Sequence, residues 1–209
     1  MPRKKKAEIT EIGGEVPTNA GKTTIQNGKP YIAQVTIEGT AAFLFHRYNP
    51  DYVEARNAAP KGSEMKTTDD CEAYVWRNDA NEICVPGEYL RQGIIESARS
   101  HQDPRSKRKM AMDMVTAGVV ALTELASLGK TTWDYEDKRG VGLNNARVTR
   151  TRPAFKPGWK VSFDFQVLLP EYISPGLLNQ LISETGRLVG IGNFRPTYGR
   201  FMLVAFKVS

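Results

Sequence analysis

Residues 160–169 alternate strictly. Val161, Phe163, Phe165, Val167 and Leu169 fall on one side, and Lys160, Ser162, Asp164 and Gln166 on the other. Successive strand side chains point to opposite faces, so this segment predicts a strand with one apolar and one wet face. The region around it repeats the theme. Tyr31, Ala33, Val35 and Ile37 alternate with polar positions over 30–38, and 201–208 reads as a last strand. Between the later strands, Ser174 caps a helix with Pro175 in its first turn and a stripe of Leu177, Leu178, Leu181 and Ile182; Gly186 is expected to end it.

An earlier helix is expected from about Glu88, where Pro86-Gly87 ends a strand and Leu90, Ile94, Ile95 and Ala98 form a helical stripe. A hairpin precedes it, from Ala73–Trp76 and Ile83–Val85 around the turn Asn78-Asp79-Ala80-Asn81. Residues 99–109 (RSHQDPRSKRK) read as an exposed connection, 110–118 as a helix, and 146–152 (ARVTRTR) as extended chain. Strands backed by helices on one face predict an α+β fold, a modified ferredoxin-like antiparallel sheet with long insertions. The expected organisation is a flexible basic tail over 1–29 and one domain over 30–209 with a long loop at about 49–70.

Several classes of function drop out. No stretch approaches the ~18 apolar residues of a membrane span, and no apolar run follows the basic residues Arg3 to Lys6, so a secretory leader is not expected. Cys71 and Cys84 cannot make a disulfide framework, and with His46 and His101 far apart no metal site or cofactor is expected. AGKTT at 20–24 and LGKTT at 128–132 lack the first P-loop glycine, with Val16 and Glu124 in its place. Asp69-Asp70 reads as part of a solvated loop. Charge is unevenly spread: Lys and Arg outnumber Asp and Glu by 9 to 3 in residues 140–209, within a chain of net charge +6. That asymmetry points to a polyanionic partner.

Three constellations carry chemistry. In GRLVGIGNFRPTYGRF (186–201), Gly190, Gly192 and Gly199 bracket Phe194, Arg195 and Tyr198, with Arg200 next. Arginines interleaved with aromatic residues suit phosphate contact and base stacking; the same pattern also describes a glycine-rich hairpin loop with one core aromatic. In ICVPGEYLRQGIIESAR (83–99), the Pro-Gly turn opens a helix N-terminus, an anion site that Arg91 can reinforce, or simply a strand-to-helix turn. Arg147, Arg150 and Arg152, followed by Lys156 and Lys160, can track a phosphate backbone or protect an edge strand. In extended chain Arg150 and Arg152 share a face and Arg147 points away.

The first two constellations, in this order, resemble the RAMP superfamily of CRISPR proteins. Pro86, Gly87, Leu90 and Arg91 match its Pro-Gly-x-x-Leu-Lys/Arg helix start, and Gly190, Gly192, Gly199 and Arg200 its C-terminal glycine-rich loop. The layout agrees over roughly residues 30–209, the specific motifs over about thirty. The resemblance implies a modified RNA-recognition-motif core, RNA binding and head-to-tail assembly along a guide. The chain is also similar to small phage and prophage proteins, which implies a solitary homologue in the cytoplasm of a bacterial host.

The expected function is therefore non-catalytic binding of single-stranded RNA or DNA, as a homo-oligomer or within a ribonucleoprotein, through Arg91, Arg147, Arg150, Arg152, Lys156, Arg195 and Arg200, with Phe194 and Tyr198 for stacking. The alternatives are a metal-independent endoribonuclease of the crRNA-processing type using His46, a metal-dependent nuclease using Asp51, and a phage structural protein.

Overall fold

The computed structural model describes residues 28–143 and 146–209. In chain order these form β1 (Tyr31–Gly39), β2 (Phe43–Leu44), α1 (Pro50–Ala58), α2 (Glu64–Thr67), β3 (Trp76–Arg77), β4 (Ile83–Pro86) and α3 (Gly87–Ser97). Then follow α4 (Met112–Gly118), β5 (Val119–Ala121), β6 (Leu125–Ser127), β7 (Tyr135–Leu143), β8 (Ala146–Phe155), β9 (Lys160–Val167), α5 (Pro175–Glu184) and β10 (Phe201–Val208). All but the last two residues of the tail expected at 1–29 lie outside the described residues. Among the described residues no helix is long and apolar enough to cross a membrane.

The central sheet has the order β10-β1-β9-β5, with every pair antiparallel. With α3 between β1 and β5, and α5 between β9 and β10, this is the βαββαβ ferredoxin-like arrangement. The two alternating strands meet face to face in register: Ala33 opposite Phe165, Val35 opposite Phe163, Ile37 opposite Val161. All six are buried, and the apolar stripes of α3 (Leu90, Ile94) and α5 (Leu178, Leu181, Ile182) cover them. Burying each large side chain contributes roughly 1.5–3 kcal/mol, which is why both helices lie on this face.

Two insertions interrupt this core. Residues 40–86 carry β2, α1, α2, β3 and β4; residues 122–159 carry β6, β7 and β8. They build two small sheets, β2-β8-β7 and β3-β4-β6. The expected irregular loop at 49–70 is instead mostly helical. The Asn49 side chain accepts from the Tyr52 N–H and Pro50 sits in the first turn of α1, a capped start that the Asn-Pro pair encodes. Ala73 and Tyr74 lie in a 3-10 turn rather than a strand, so the hairpin is shorter than expected and pairs Trp76 with Cys84 and Arg77 with Ile83.

The end of α5 also differs. Helical chain continues through a π turn over Thr185–Val189 and stops at Gly190, which has φ 74°. Gly186 serves packing, because a Cβ there would meet the Phe201 carbonyl. At the other motif, the Gly87 N–H donates to the Glu124 carbonyl at 3.1 Å, and a Cβ on Gly87 would meet the Thr123 carbonyl. The first N–H of α3 is thus taken up by the chain's own carbonyl, and the Pro-Gly turn is a close packing contact.

Candidate nucleic-acid interface

The glycine-rich loop is stitched onto the start of the first insertion. The Gly199 N–H donates to the Ala42 carbonyl (2.8 Å), the Asn193 N–H to Leu44 (3.0 Å), and the Ile191 N–H to Gly199 (2.9 Å). Gly199 has φ 72°, and any Cβ there would collide with the Ile191 carbonyl, so this crossing admits glycine alone. The stitching holds the Phe194 and Tyr198 side chains against the β7–β8 hairpin.

That hairpin presents charge on one face. Asp137 pairs opposite Arg152 and Arg139 opposite Arg150, so all four side chains share a face. The Arg139 guanidinium bonds Asp137 and the Tyr198 hydroxyl, and lies over the Tyr198 ring at 4.6 Å. Arg152 lies 4.7 Å from the Phe194 ring centre, is 7% exposed, and has no partner for Nε or Nη1. Burial lowers the Arg152 pKa, but a guanidinium stays charged in proteins.

Asp69 anchors the hairpin to the helical insertion. Its Oδ1 accepts from Arg56 (2.6 Å), Arg150 (3.0 Å) and the Tyr74 hydroxyl (3.0 Å), and its Oδ2 from the Thr151 N–H (2.8 Å). Burial alone pushes this carboxyl up, but the Arg56, Thr151, Tyr74 and Arg150 interactions outweigh it and hold the pKa below the ordinary value. The expected solvated acidic loop is therefore half right: Asp70 is exposed and Asp69 is buried. Its two arginines and the Thr151 N–H offset the cost of burying that charge.

Three adjoining concavities line up between these parts. The outermost, about 490 Å³, is walled by Arg47, Tyr48, Asn49, Arg56, Lys66, Tyr74 and Arg150 and ends at His46. The middle one, about 250 Å³, runs from His46 past Tyr89 and Gln92 to Gly192, Asn193 and Arg195. The third, about 500 Å³, shares those last three residues and adds Glu96, Leu188, Phe194 and Pro196. Joined through shared wall residues, they form a cleft lined by Lys66, Arg56, Arg47, Arg150 and Arg195; Glu96 is an acidic wall residue 3.6 Å from Arg195, and Arg152 lines none of the three but lies behind them against the Phe194 ring. His46 stands at the junction, stacked on Tyr74 at 5.1 Å. Partial desolvation, then the charges of Arg152 and Arg150, hold its imidazole below the usual pKa.

Of the residues singled out in the sequence, the structure brings Arg150, Arg152, Phe194, Arg195 and Tyr198 together. Others lie apart. Arg91 donates to the Val119 and Thr116 carbonyls (both 2.7 Å) and pairs with Glu88, so it ties α3 to α4 and β5. The Arg200 Nε donates to the Pro196 carbonyl (2.8 Å) and braces its own loop. Lys156 is exposed at the end of β8, where its N–H is held by Asp134, and it lines none of the three concavities. The backbone of Arg147 is in β8, while its side chain lies outside the described residues. Asp51 is exposed in the first turn of α1, and among the described residues no cluster of three His, Cys, Asp or Glu side chains could hold a metal ion. Arg47, Arg56, Lys66, Arg139 and Asn193 were missed. Arg47 sits in the apolar run FLFHRY, and Arg56 and Lys66 fall in the segment expected to be an irregular loop.

Fold and site define a class: a ferredoxin-like α+β domain whose insertions enclose a cationic, aromatic-lined cleft. No protein-family model matches the sequence, and no curated protein matches it. Among solved structures, the chain is similar to one in the type III-B Cmr-beta complex bound to cognate target RNA (TM-score 0.49, 11% identity, 86% of this chain and 61% of that chain). It is also similar to one in the Csm3–Csm4 subcomplex of the type III-A CRISPR-Cas interference complex (TM-score 0.39, 14% identity, 86% and 77%). The chain spans about three fifths of the length of the first of these.

Proposed function

We propose that this chain binds single-stranded nucleic acid along the cleft, without cleaving it, and works in an oligomer or a ribonucleoprotein. The cations that line the three concavities carry the reading, with the buried Arg152 behind them. A guanidinium at 7% exposure with two nitrogens unpartnered is costly, and stacking on Phe194 recovers only ~2 kcal/mol. Its Nε and Nη1 are closed off from solvent, so Arg152 adds positive charge behind the cleft, and the phosphates meet the guanidinium and ammonium groups that line it. Arg47, Arg56, Lys66 and Arg195 extend the positive surface on either side. Tyr48, 71% exposed in the outermost concavity, offers a ring on which a base can stack. The Pro86-Gly87 and glycine-loop motifs, in their resemblance to the RAMP superfamily, favour RNA over DNA, and the likeness to small phage and prophage proteins favours a solitary homologue. Strand β10, at the edge of its sheet, exposes Met202 and Val204, which suits assembly side by side.

The test is fluorescence anisotropy with labelled single-stranded RNA and DNA over a salt series. Binding should weaken with salt at a log–log slope of roughly −0.7 per phosphate contacted, and Arg195→Met, at an exposed position shared by two of the concavities, should weaken it about tenfold. Failure of the wild type to bind any single strand at low salt overturns the proposal.

One observation favours a second reading. His46 stands where two concavities meet, with its pKa lowered, as a general base for a 2′-hydroxyl requires. Incubation with structured RNA in chelator, wild type against His46→Ala, separates the two; RNA left intact by both removes the enzyme.

A further inference from the structure

One strongly basic surface, Lys107 to Lys109, lies outside the three concavities. Tyr89, Gln92 and Glu96 on α3 line the middle and third concavities. Their spacing of three and four places them on one helical stripe. The next position on that stripe is Arg99, which is exposed and sits in the 3-10 turn (Ala98–Ser100) that continues α3. From Tyr89 to Arg99 the helix advances about 15 Å, so the cleft wall leads directly onto residues 101–111.

That segment has a defined shape. Gln102 and Met110 form a β-bridge, the Asp103 N–H donates to the Lys109 carbonyl (3.0 Å), and the Ala111 N–H to His101 (2.8 Å). The Gln102 side chain donates to the Lys109 carbonyl (2.7 Å). Asp103, 2% exposed, accepts from the Arg105 backbone N–H (2.8 Å) and guanidinium (2.9 Å). His101 is tied to Glu184 of α5 at 2.6 Å. Lys107, Arg108 and Lys109 take no part in this bracing through their side chains. All three are exposed, and among the described residues none has a salt-bridge partner. A braced loop fixes where these side chains start, so binding has only their own rotamer freedom to restrict and not that of the backbone.

We infer that the 101–111 loop is a second phosphate-binding surface, which takes up the same strand where it leaves the cleft along α3. This rests on the reading of the cleft as a nucleic-acid site. The ligand is the phosphodiester backbone, contacted without base readout.

The experiment compares anisotropy of a short labelled strand of about 6 nucleotides with one of about 20, for the wild type and for K107A/R108A/K109A. The triple variant should bind the short strand as the wild type does. It should bind the long strand roughly tenfold more weakly, with the salt slope reduced by about 2. Equal binding of the long strand by both proteins overturns the inference and leaves the cleft standing, and so does equal weakening at both lengths. Wild type that binds neither strand overturns the cleft reading and this inference with it. R108E, measured the same way, gives an independent readout should the triple variant fold poorly.

Discussion

The Arg152 guanidinium lies 4.7 Å from the centre of the Phe194 ring, and with Arg139 on Tyr198 this contact joins the second insertion to the glycine-rich loop. A cation over an aromatic face is held by the ring quadrupole, most strongly where water is excluded. Phe194 accepts a φ of 56°, rare for a residue with a side chain, to reach this position. Phe194→Ala should leave Arg152 with neither ring nor acceptor. The expected result is strand affinity reduced five- to tenfold and stability lowered by roughly 1–3 kcal/mol, read by anisotropy and urea melts; full wild-type affinity would show that the contact does not organise the cleft.

Asp69→Asn removes the charge that gathers Arg56 and Arg150. Breaking a buried pair leaves its partners uncompensated, so stability should fall by roughly 2–4 kcal/mol. The effect has a pH signature. A carboxyl whose folded pKa is depressed contributes stability in full above its unfolded value of ~4, and that contribution is lost as pH falls through the folded value. Urea melts of wild type and variant should therefore differ most at neutral pH and converge in acid. A gap constant down to the most acidic pH measured contradicts the assignment.

Gly199→Ala tests the loop crossing. A positive φ costs a side chain about 1–2 kcal/mol, and here the new Cβ also meets the Ile191 backbone. Gly158 has φ 96° but open space where a Cβ would stand, so Gly158→Ala isolates the backbone cost. Denaturation midpoints should rank wild type, Gly158→Ala, Gly199→Ala. The reverse order of the two variants removes the steric argument.

Arg91→Met separates a structural arginine from a binding one. Two carbonyls lose their donor, and stability should fall by roughly 1–3 kcal/mol. Strand affinity of the folded variant should match wild type. A tenfold weaker variant with unchanged melting behaviour would return Arg91 to the binding surface.

Much of the core was legible. The period of two in β1 and β9 and the apolar stripes in α3 and α5 are local properties, and burial follows from them directly. The pairing of Arg150 and Arg152 on one face was legible for the same reason. The helical insertion was not, because α1 has no buried residue and so no apolar stripe to read. The partners of Arg91 were also invisible. Position 91 looks free beside the α3 stripe, and only the packing of α4 and β5 brings two carbonyls to it.

By itself the sequence determined the alternation of strands and helices, and with it the ferredoxin-like class, since side-chain direction along a strand or helix is set within a few residues. It also determined which arginines and aromatic residues were at hand. The tertiary structure alone decided which of them meet. Asp69 reaches the Thr151 N–H across 82 residues of chain. Whether such groups converge depends on how two insertions close over one sheet, a matter of long-range packing that no local period encodes.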